Sequence, residues 1–422
     1  MGATGGEQDG DHAGDQAGDQ AGRSDHAPRV PFDPYAPSSD ERYAAMAAVR
    51  AAGGVVDTTQ GWYVGTAAGV ETGLRNVDRF VGSFMDTASL PEEDIVLAAI
   101  PEPRHGVIRR VVNTVVAGHR TAAAEPFIRA EAARLVDLAV ADAARGEVVD
   151  LVDRLADPLP SAVIAHMTGA PVSDHDKFRV WSDELLEAQN RGDTAPMRDF
   201  HPEFADYIQT MIDERRATSH PPDDLITRFL RTDVDGEYLS DRAIVTQTMF
   251  ILVAGNETTR NLIANCLHTA ATQTELYARL RADRRDIAPF VEESLRLDSP
   301  VQVLGRAVLA DTEIEGAPLA TGDRVVFGIA SANRDEAVHD HPAEFDIGRP
   351  RPREHLAFGT GPHVCPGATL ARLEATAILE SFVGRVASVR LVDGFVPAPN
   401  PVFWANGHRR LPALVTPADH GG

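Results

Sequence analysis

Sulfur and basic residues are both scarce in this sequence. Cys266 and Cys365 are the two cysteines among 422 residues, and 40 Lys and Arg stand against 63 Asp and Glu. So few cysteines exclude a disulfide-stabilised scaffold, and a reducing cytoplasm is the expected location. The net charge of -23 repels phosphate backbones, so nucleic acid is not an expected partner.

Long apolar runs are also missing. No stretch approaches the roughly 18 consecutive apolar residues of a membrane span, and the N-terminus lacks the apolar core of a signal peptide. We therefore expect no membrane association. At the same time 43% of the chain is hydrophobic, which is enough for a large buried core.

Large apolar side chains are absent from the N-terminal stretch MGATGGEQDGDHAGDQAGDQAGRSDHAP, which repeats AGDQ and is rich in acids. Such a segment buries too little surface to offset its ordering entropy, so residues 1–28 are predicted to be a disordered acidic tail. No second low-complexity break follows. A single domain is therefore predicted over residues 29–422.

Helical periodicity dominates the middle of the chain, from about residue 103 to 297. Strand patterns cluster later: residues 311–330 alternate and turn at Glu315-Gly316, which predicts a hairpin, and ASVRLVDGF and HRRLPALVTP predict further strands. A strand, a turn and a short helix are predicted over residues 61–76. The expected fold is mainly α with a smaller, mostly antiparallel β portion.

The longest helical pattern, about residues 241–275, has a polar interruption at its centre, MFILVAGNETTRN. A glycine inside a helix costs about 1 kcal/mol relative to alanine, and a buried glutamate is costly unless paired or protonated. One interpretation is a solvated turn, or a threonine that hydrogen-bonds to a preceding carbonyl. The other is a groove where the acid Glu257 and the hydroxyl of Thr258 pass protons to a ligand.

Several charged residues have no evident use when taken one at a time. Glu293 and Arg296 share a helix face in EESLR, and a surface pair of this kind is worth about 0.3–0.5 kcal/mol. His339 and His341, in HDHP, are expected at the surface. A solvated face is likewise the default for four other cations, each considered alone. These are His105, Arg109, Arg306 and His363.

Cys365 lies in a segment dense in glycine and proline, FGTGPHVCPG, residues 358–367. Six segments, taken in order, resemble the cytochrome P450 family, the haem-thiolate monooxygenases, in their soluble bacterial form. They are HGVIRR, AGNETT, EESLR, ANRDE, FDIGR and the longer cysteine segment HLAFGTGPHVCPGATLARLEA. The resemblance covers nearly everything from about residue 31 onward, and the cysteine segment is its most specific part. It implies the P450 fold, with haem b between the long central helix and the cysteine loop.

The resemblance implies that Cys365 is the thiolate ligand of the haem iron, a ligand that favours O–O cleavage. Phe358 would pack against the porphyrin. Three glycines would take unusual dihedrals and let N–H groups point at the sulfur, and the helix starting at about Ala368 would direct its positive end there. These glycines are Gly359, Gly361 and Gly367. Cys266 is expected to be a buried, inert thiol.

Other roles also follow from the resemblance alone. Glu257 and Thr258 match the family's acid and alcohol pair for proton delivery during oxygen activation, and Ala254 and Gly255 would open the groove that admits oxygen. The haem propionates would be neutralised by His105, Arg109, Arg306 and His363. A buried ionic network that braces the cysteine segment would contain Glu293, Arg296 and Arg349.

One departure from the family pattern follows the cysteine directly. Most relatives place there a residue whose backbone N–H donates toward the sulfur, whereas this chain has Pro366, which has no such hydrogen. A thiolate that lacks a donor is more electron-rich. We therefore expect a lower iron reduction potential than with a non-proline residue at this position.

The implied activity is hydroxylation of a small-to-medium apolar or aromatic molecule, in bacterial secondary metabolism, by a monomer. Dioxygen and NAD(P)H-derived electrons would be co-substrates. A separate ferredoxin or flavodoxin would deliver the electrons at the face behind Cys365, with Arg372 as a candidate contact. The expected pocket lining is residues 75–100 and 178–211, Phe250, Val253, and residues 301–304 and 402–404.

Two alternatives remain at this point. One is oxidative C–C or C–N coupling of an aromatic or cyclic-dipeptide-like substrate, for which proline after the cysteine is the slender support. The other is a haem-binding sensor or carrier without turnover. The presence of both Glu257 and Thr258 weighs against a carrier, because a passive haem site needs no proton relay.

Overall fold

The computed structural model describes residues 32–36, 38–82, 87, 89–191, 195–234, 236–398 and 400–419, and the predicted acidic tail lies outside them. Helices predominate in this part of the chain. The helices before the long central one are α1 Asp40–Ala51, α2 Ala67–Arg75, α3 Arg104–Val115, α4 Gly118–Ala144, α5 Pro158–Thr168, α6 His175–Asn190, α7 Met197–Phe200, α8 Pro202–Ala217 and α9 Leu225–Leu230. The later ones are α10 Asp241–Thr272, α11 Thr274–Ala282, α12 Ile287–Leu297, α13 Ile329–Ala332 and α14 Ala368–Arg385.

The strands are short and form small sheets. They are β1 Val55–Thr58, β2 Gly61–Val64, β3 Phe80–Gly82, β4 Val149–Asp150, β5 Asp233–Val234, β6 Glu237–Tyr238, β7 Val303–Val308, β8 Thr312–Ile314, β9 Ala317–Leu319, β10 Arg324–Gly328, β11 Val386–Leu391 and β12 Pro412–Pro417. One sheet has the order β1-β2-β10-β7-β3 and a second the order β11-β12-β4. Neighbouring strands are antiparallel except β2 and β10, as the sequence predicts for most of the β portion.

The predicted hairpin is present as β8 and β9. Glu315 and Gly316 form its turn with φ of 49° and 81°, the left-handed region that a two-residue hairpin turn requires. The predicted strand, turn and helix over residues 61–76 correspond to β2 and α2.

Helix α10 lies at the centre of the fold. Ser240 caps it by accepting a hydrogen bond from the Ala243 N–H, and the helix is buried on nearly all sides, as an all-round apolar pattern predicts. It packs against α5, α8, α14 and α6. Two large groups of core side chains, one around α4 and α14 and one around α6 and α8, meet on it.

The polar interruption does not break α10, which is continuous from Asp241 to Thr272. A Cβ at Gly255 would lie 2.9 Å from Ile164 Cδ1, so this glycine lets α5 pack closely against α10. The expected groove at Gly255 is thus filled on that side by a neighbouring helix.

The expectation for His339 was wrong. Its ring is buried, and burial together with the nearby Arg296 and Arg349 lowers its pKa to about 4. His341 lies at the surface as expected. Among the helices of the described residues, none has the length and apolar character needed to cross a membrane.

Candidate active site

The cysteine loop is shaped by two glycines. Gly359 and Gly361 have φ of +67° and +72°, and a Cβ at Gly361 would lie 2.9 Å from Arg75 Cα. Gly367 differs from the expectation, since its φ of -82° is ordinary. The loop closes through the Cys365 N–H, which donates to the Phe358 carbonyl at 2.9 Å.

Cys365 is exposed to solvent, although enough protein surrounds its sulfur to desolvate it. Burial raises the pKa of the thiol, while a hydrogen bond from the Gly367 N–H and the charges of Arg109 and Arg372 act in the opposite direction. Helix α14 starts directly after Gly367. These groups suit a sulfur that becomes an anion when a metal cation binds it.

Four predicted cations come together beside this loop. His105 and Arg109 lie on α3, and the His105 ring is 3.9 Å from that of His363, centroid to centroid. Arg109 donates to the Val364 carbonyl. Arg306, on β7, is buried and donates to the Gly305 carbonyl at 2.8 Å.

These cations are poorly neutralised by the protein. Burial lowers the pKa of Arg306 to about 10, and burial together with His105 and Arg306 lowers that of His363 to about 3. Glu102 pairs with His105 Nδ1 at 2.8 Å, but His105 Nε2 is buried without a hydrogen-bond partner. Desolvated basic side chains and an unpaired imidazole nitrogen fit an anionic ligand such as the propionates of a haem, which would favour the charged forms of these groups.

One stripe of α10 is partly accessible although the helix is otherwise buried. Phe250, Ala254 and Thr258 follow one another at four-residue spacing on this stripe, next to Gly255. The Thr258 hydroxyl donates to the Ala254 carbonyl at 2.9 Å, which is the back-bonding that one interpretation of the sequence predicted. Its lone pairs remain available on the accessible stripe.

Glu257 is buried, unlike its neighbour Thr258. Its carboxylate accepts hydrogen bonds from Arg260, from Asn261 Nδ2 at 3.0 Å and from Asn400 Nδ2 at 3.0 Å. The acid and the alcohol are therefore adjacent in sequence but held by different partners.

Arg260 connects Glu257 to two further carboxylates. Its Nη1 lies 3.0 Å from Asp183 Oδ1, on α6, and 3.3 Å from Asp157 Oδ1. Burial raises the pKa of Asp157 to about 6, with Arg260 opposing the rise. Burial acts to lower the pKa of Arg260, but the three carboxylates raise it overall.

The sequence reasoning missed this cluster. The three-residue spacing of Glu257 and Arg260 on a helix could have indicated their pair, as it did for Glu293 and Arg296. Nothing local indicates Asn400, which is 143 positions from Glu257.

Glu293 and Arg296 form a buried ion pair, with Nη2 to Oε1 at 2.7 Å and Nε to Oε2 at 2.8 Å. Arg349 Nε joins Glu293 Oε1 at 2.9 Å. Arg296 Nη1 also donates to the Asn333 and Pro342 carbonyls, so the network fastens α12 to the segment before the cysteine loop. The pair is therefore buried and does not lie on the solvated helix face that is the default for such a pair considered alone.

Two further residues carried predictions: Cys266 as an inert thiol and Arg372 as a docking contact. Cys266 is buried, and burial raises the pKa of its thiol to about 12, so this thiol is inert as expected. Arg372 is not a free surface cation. It forms a two-point pair with the buried Glu292 and lies over the Phe358 ring, with Cζ 4.5 Å from the centroid.

The residues predicted to line the pocket differ in burial, and some are not described by the structure. Val402 is buried, and Phe250 and Trp404 are half-buried. Phe178 and Met211 lie in the core between α6 and α8, in the same group of core side chains as Val402. Residues 83–86, 88 and 192–194 of the predicted lining lie outside the described residues.

A thiol in a tight glycine loop beside desolvated basic side chains fits a protein that binds a cofactor carrying both a metal and anionic groups. Residues 73–386 match the family model described as Cytochrome P450. The chain therefore belongs to the cytochrome P450 family, whose members are haem-thiolate oxidoreductases, and the expected fold and enzyme class are confirmed.

Curated relatives cover most of the chain. A steroid C26-monooxygenase of Mycobacterium tuberculosis is 35% identical over 338 residues, which is 79% of this chain and 88% of that protein. Cyclomarin C epoxidase CymV of Salinispora arenicola is 37% identical over 305 residues, 70% of this chain and 74% of that protein.

Solved structures agree in fold. A mutant of P450 EryK in complex with erythromycin B has a TM-score of 0.82 at 30% identity and covers 93% of this chain and 100% of its own. CYP109E1 of Bacillus megaterium in complex with testosterone has a TM-score of 0.75 at 31% identity, covering 88% and 98%.

Proposed function

We propose that the protein is a monooxygenase in which Cys365 is the thiolate ligand of haem b. The observation that carries the proposal is the Cys365 sulfur, which accepts the Gly367 N–H in a loop built on two positive-φ glycines. When bound, haem would supply the activation of dioxygen with two electrons derived from NAD(P)H. It would lie between α10 and the cysteine loop.

The chain's own residues would hold the cofactor at its edge and face. The propionates would be bound by His105, Arg109, Arg306 and His363, and the unpaired His105 Nε2 and buried Arg306 support this assignment. Phe358 would pack against the porphyrin. Ala254, exposed on α10, would leave room for oxygen.

Proton delivery is assigned to Thr258 and Glu257. The Thr258 hydroxyl donates to the Ala254 carbonyl, so its oxygen can accept a hydrogen bond from the side of the accessible stripe. The Glu257 carboxylate accepts from three donors, which leaves about one acceptor position open for a proton on its way to Thr258.

The proposed substrate is a small-to-medium apolar or aromatic molecule of bacterial secondary metabolism. The relatives named for steroid and cyclomarin C oxidation, and the structures with testosterone and erythromycin B, support a largely apolar substrate. A ferredoxin or flavodoxin would supply electrons to a monomer, and the scarcity of cysteine supports a cytoplasmic location.

The test is turnover with a defined probe. The haem-loaded protein, ferredoxin, its reductase and NADPH are incubated with testosterone and then with a panel of aromatic compounds, after a screen for the spectral shift of substrate binding. We expect NADPH consumption matched by a product heavier by one oxygen atom. A product that has lost hydrogens would instead establish coupling, and tight haem binding with no substrate-dependent NADPH consumption would establish a carrier.

A further inference from the structure

Two arginines and a histidine surround one buried carboxylate next to the cysteine loop. Glu292, on α12, is 5% exposed. His355 Nε2 lies 3.0 Å from its Oε2, and Arg353 Nε lies 3.3 Å from its Oε1. Arg372, on α14, donates through Nε at 2.6 Å and Nη2 at 3.0 Å. We call these four residues the Glu292 cluster.

Arg372 is the member of the Glu292 cluster that reaches toward the sulfur. Its guanidinium lies over the Phe358 ring, 4.5 Å from the centroid, in cation–π geometry. The carbonyl of Phe358 accepts the N–H of Cys365 at 2.9 Å. Glu292, Arg372, Phe358 and Cys365 thus form one continuous chain of contacts.

The two-point pair with Glu292 fixes both the position and the plane of the guanidinium. Burial would raise the pKa of Glu292, but hydrogen bonds from His355 and Arg372 lower it to about 2. The carboxylate is therefore ionised at neutral pH and holds Arg372 by charge as well as by geometry. Only 23% of the Arg372 side chain is exposed, so most of its surface lies against the protein.

We propose that Glu292 is a positioning residue for the cysteine ligand: it holds the Arg372 guanidinium over the Phe358 ring, where its positive charge acts on the Cys365 sulfur. The proposal rests on the proposed ligand role of Cys365. A cation held near the thiolate favours the reduced, more negative state of the iron centre, so it raises the reduction potential. Arg372 then tunes the iron centre.

The test is a double-mutant cycle on the haem-loaded protein, with the iron reduction potential as readout. We expect Glu292→Gln and Arg372→Gln each to lower the potential, and the double variant to lie no lower than Arg372→Gln alone. The Glu292 change lowers the potential through Arg372, so once Arg372 is gone only the loss of the carboxylate's own charge remains, and that loss can only raise the potential. If Glu292 acted only by its own charge, Glu292→Gln would raise the potential in both backgrounds, and the proposal would be wrong.

Arg353→Gln is the matched control, because Arg353 pairs with the same carboxylate but its side chain is 77% exposed. We expect it to leave the potential unchanged, and a fall equal to that of Arg372→Gln would overturn the proposal. Arg372→Lys keeps the charge without the planar two-point pair, and its potential should lie below that of the wild type. This variant decides the matter if Glu292→Gln does not bind haem, since a potential equal to the wild type would refute the positioning role.

The spectrum of the reduced, carbon monoxide-bound form distinguishes a failure of the Cys365 ligand role from a failure of the Glu292 positioning role. A wild type without the thiolate band would refute the ligand role of Cys365. Variants that keep the thiolate band and the wild-type potential would refute only the role of Glu292.

Discussion

At the scale of single residues, the sulfur of Cys365 accepts a hydrogen bond from one backbone donor and is followed by a residue that cannot supply another. The N–H of Gly367 points at the sulfur, whereas Pro366 has no N–H. The sequence alone indicated the missing donor. It could not indicate that Gly367 has an ordinary φ, because glycine is compatible with either backbone conformation.

Replacing this proline tests its effect on the iron. We expect Pro366→Leu to raise the reduction potential, because the new N–H can stabilise the thiolate and make it less electron-rich. Both proteins are titrated potentiometrically under identical conditions. An equal or lower potential in the leucine variant would contradict the argument.

Asp157 gives a pH-dependent stability of known sign. Burial raises its pKa from 3.8 to about 6, so the folded protein binds more protons than the unfolded chain between these values. Its contribution is fully present below about pH 4 and is lost as the pH rises through 6, a change of roughly 3 kcal/mol. Asp157→Asn should therefore gain stability over the wild type across this range, as measured by urea unfolding at several pH values. A difference that is constant from pH 4 to 7 would contradict it.

At the scale of elements, the close packing of α5 on α10 depends on Gly255. In Gly255→Ala the new Cβ would clash with Ile164 Cδ1, a cost of about 1–3 kcal/mol, against a helix-propensity gain of about 1 kcal/mol. In an Ile164→Ala background the clash is absent and the gain remains. We expect Gly255→Ala to be at least about 1 kcal/mol more favourable there, measured by chemical unfolding. Equal effects in both backgrounds would show that the two helices do not meet at this glycine.

The sequence predicted local elements well and their partners poorly. It placed α10 over about residues 241–275, and the helix ends at Thr272, where Gln273 separates it from α11. It located the β8–β9 turn from Glu315-Gly316. It could not predict that Asp183, on α6, pairs with Arg260 or that Asn400 donates to the Glu257 carboxylate, because these contacts join residues more than 70 positions apart.

At the scale of the whole molecule, a chain of net charge -23 gathers cations at one site. His105, Arg109, Arg306 and His363 come from α3, β7 and the cysteine loop, and spacing alone could not bring them together. The family resemblance grouped these four residues because the motifs that contain them occupy fixed places in the family's fold. The acidic tail, the single-domain boundary and the roles of the site residues stay predictions.

The measurement that tests the central claim most directly is the carbon monoxide difference spectrum of the purified, haem-loaded, reduced protein. A thiolate ligand at Cys365 predicts the red-shifted absorption band of sulfur-bound haem, its loss in Cys365→Ala, and its retention in Cys266→Ala, because Cys266 is buried elsewhere in the core. A wild type without the band, or a Cys365→Ala variant that keeps it, would contradict the account.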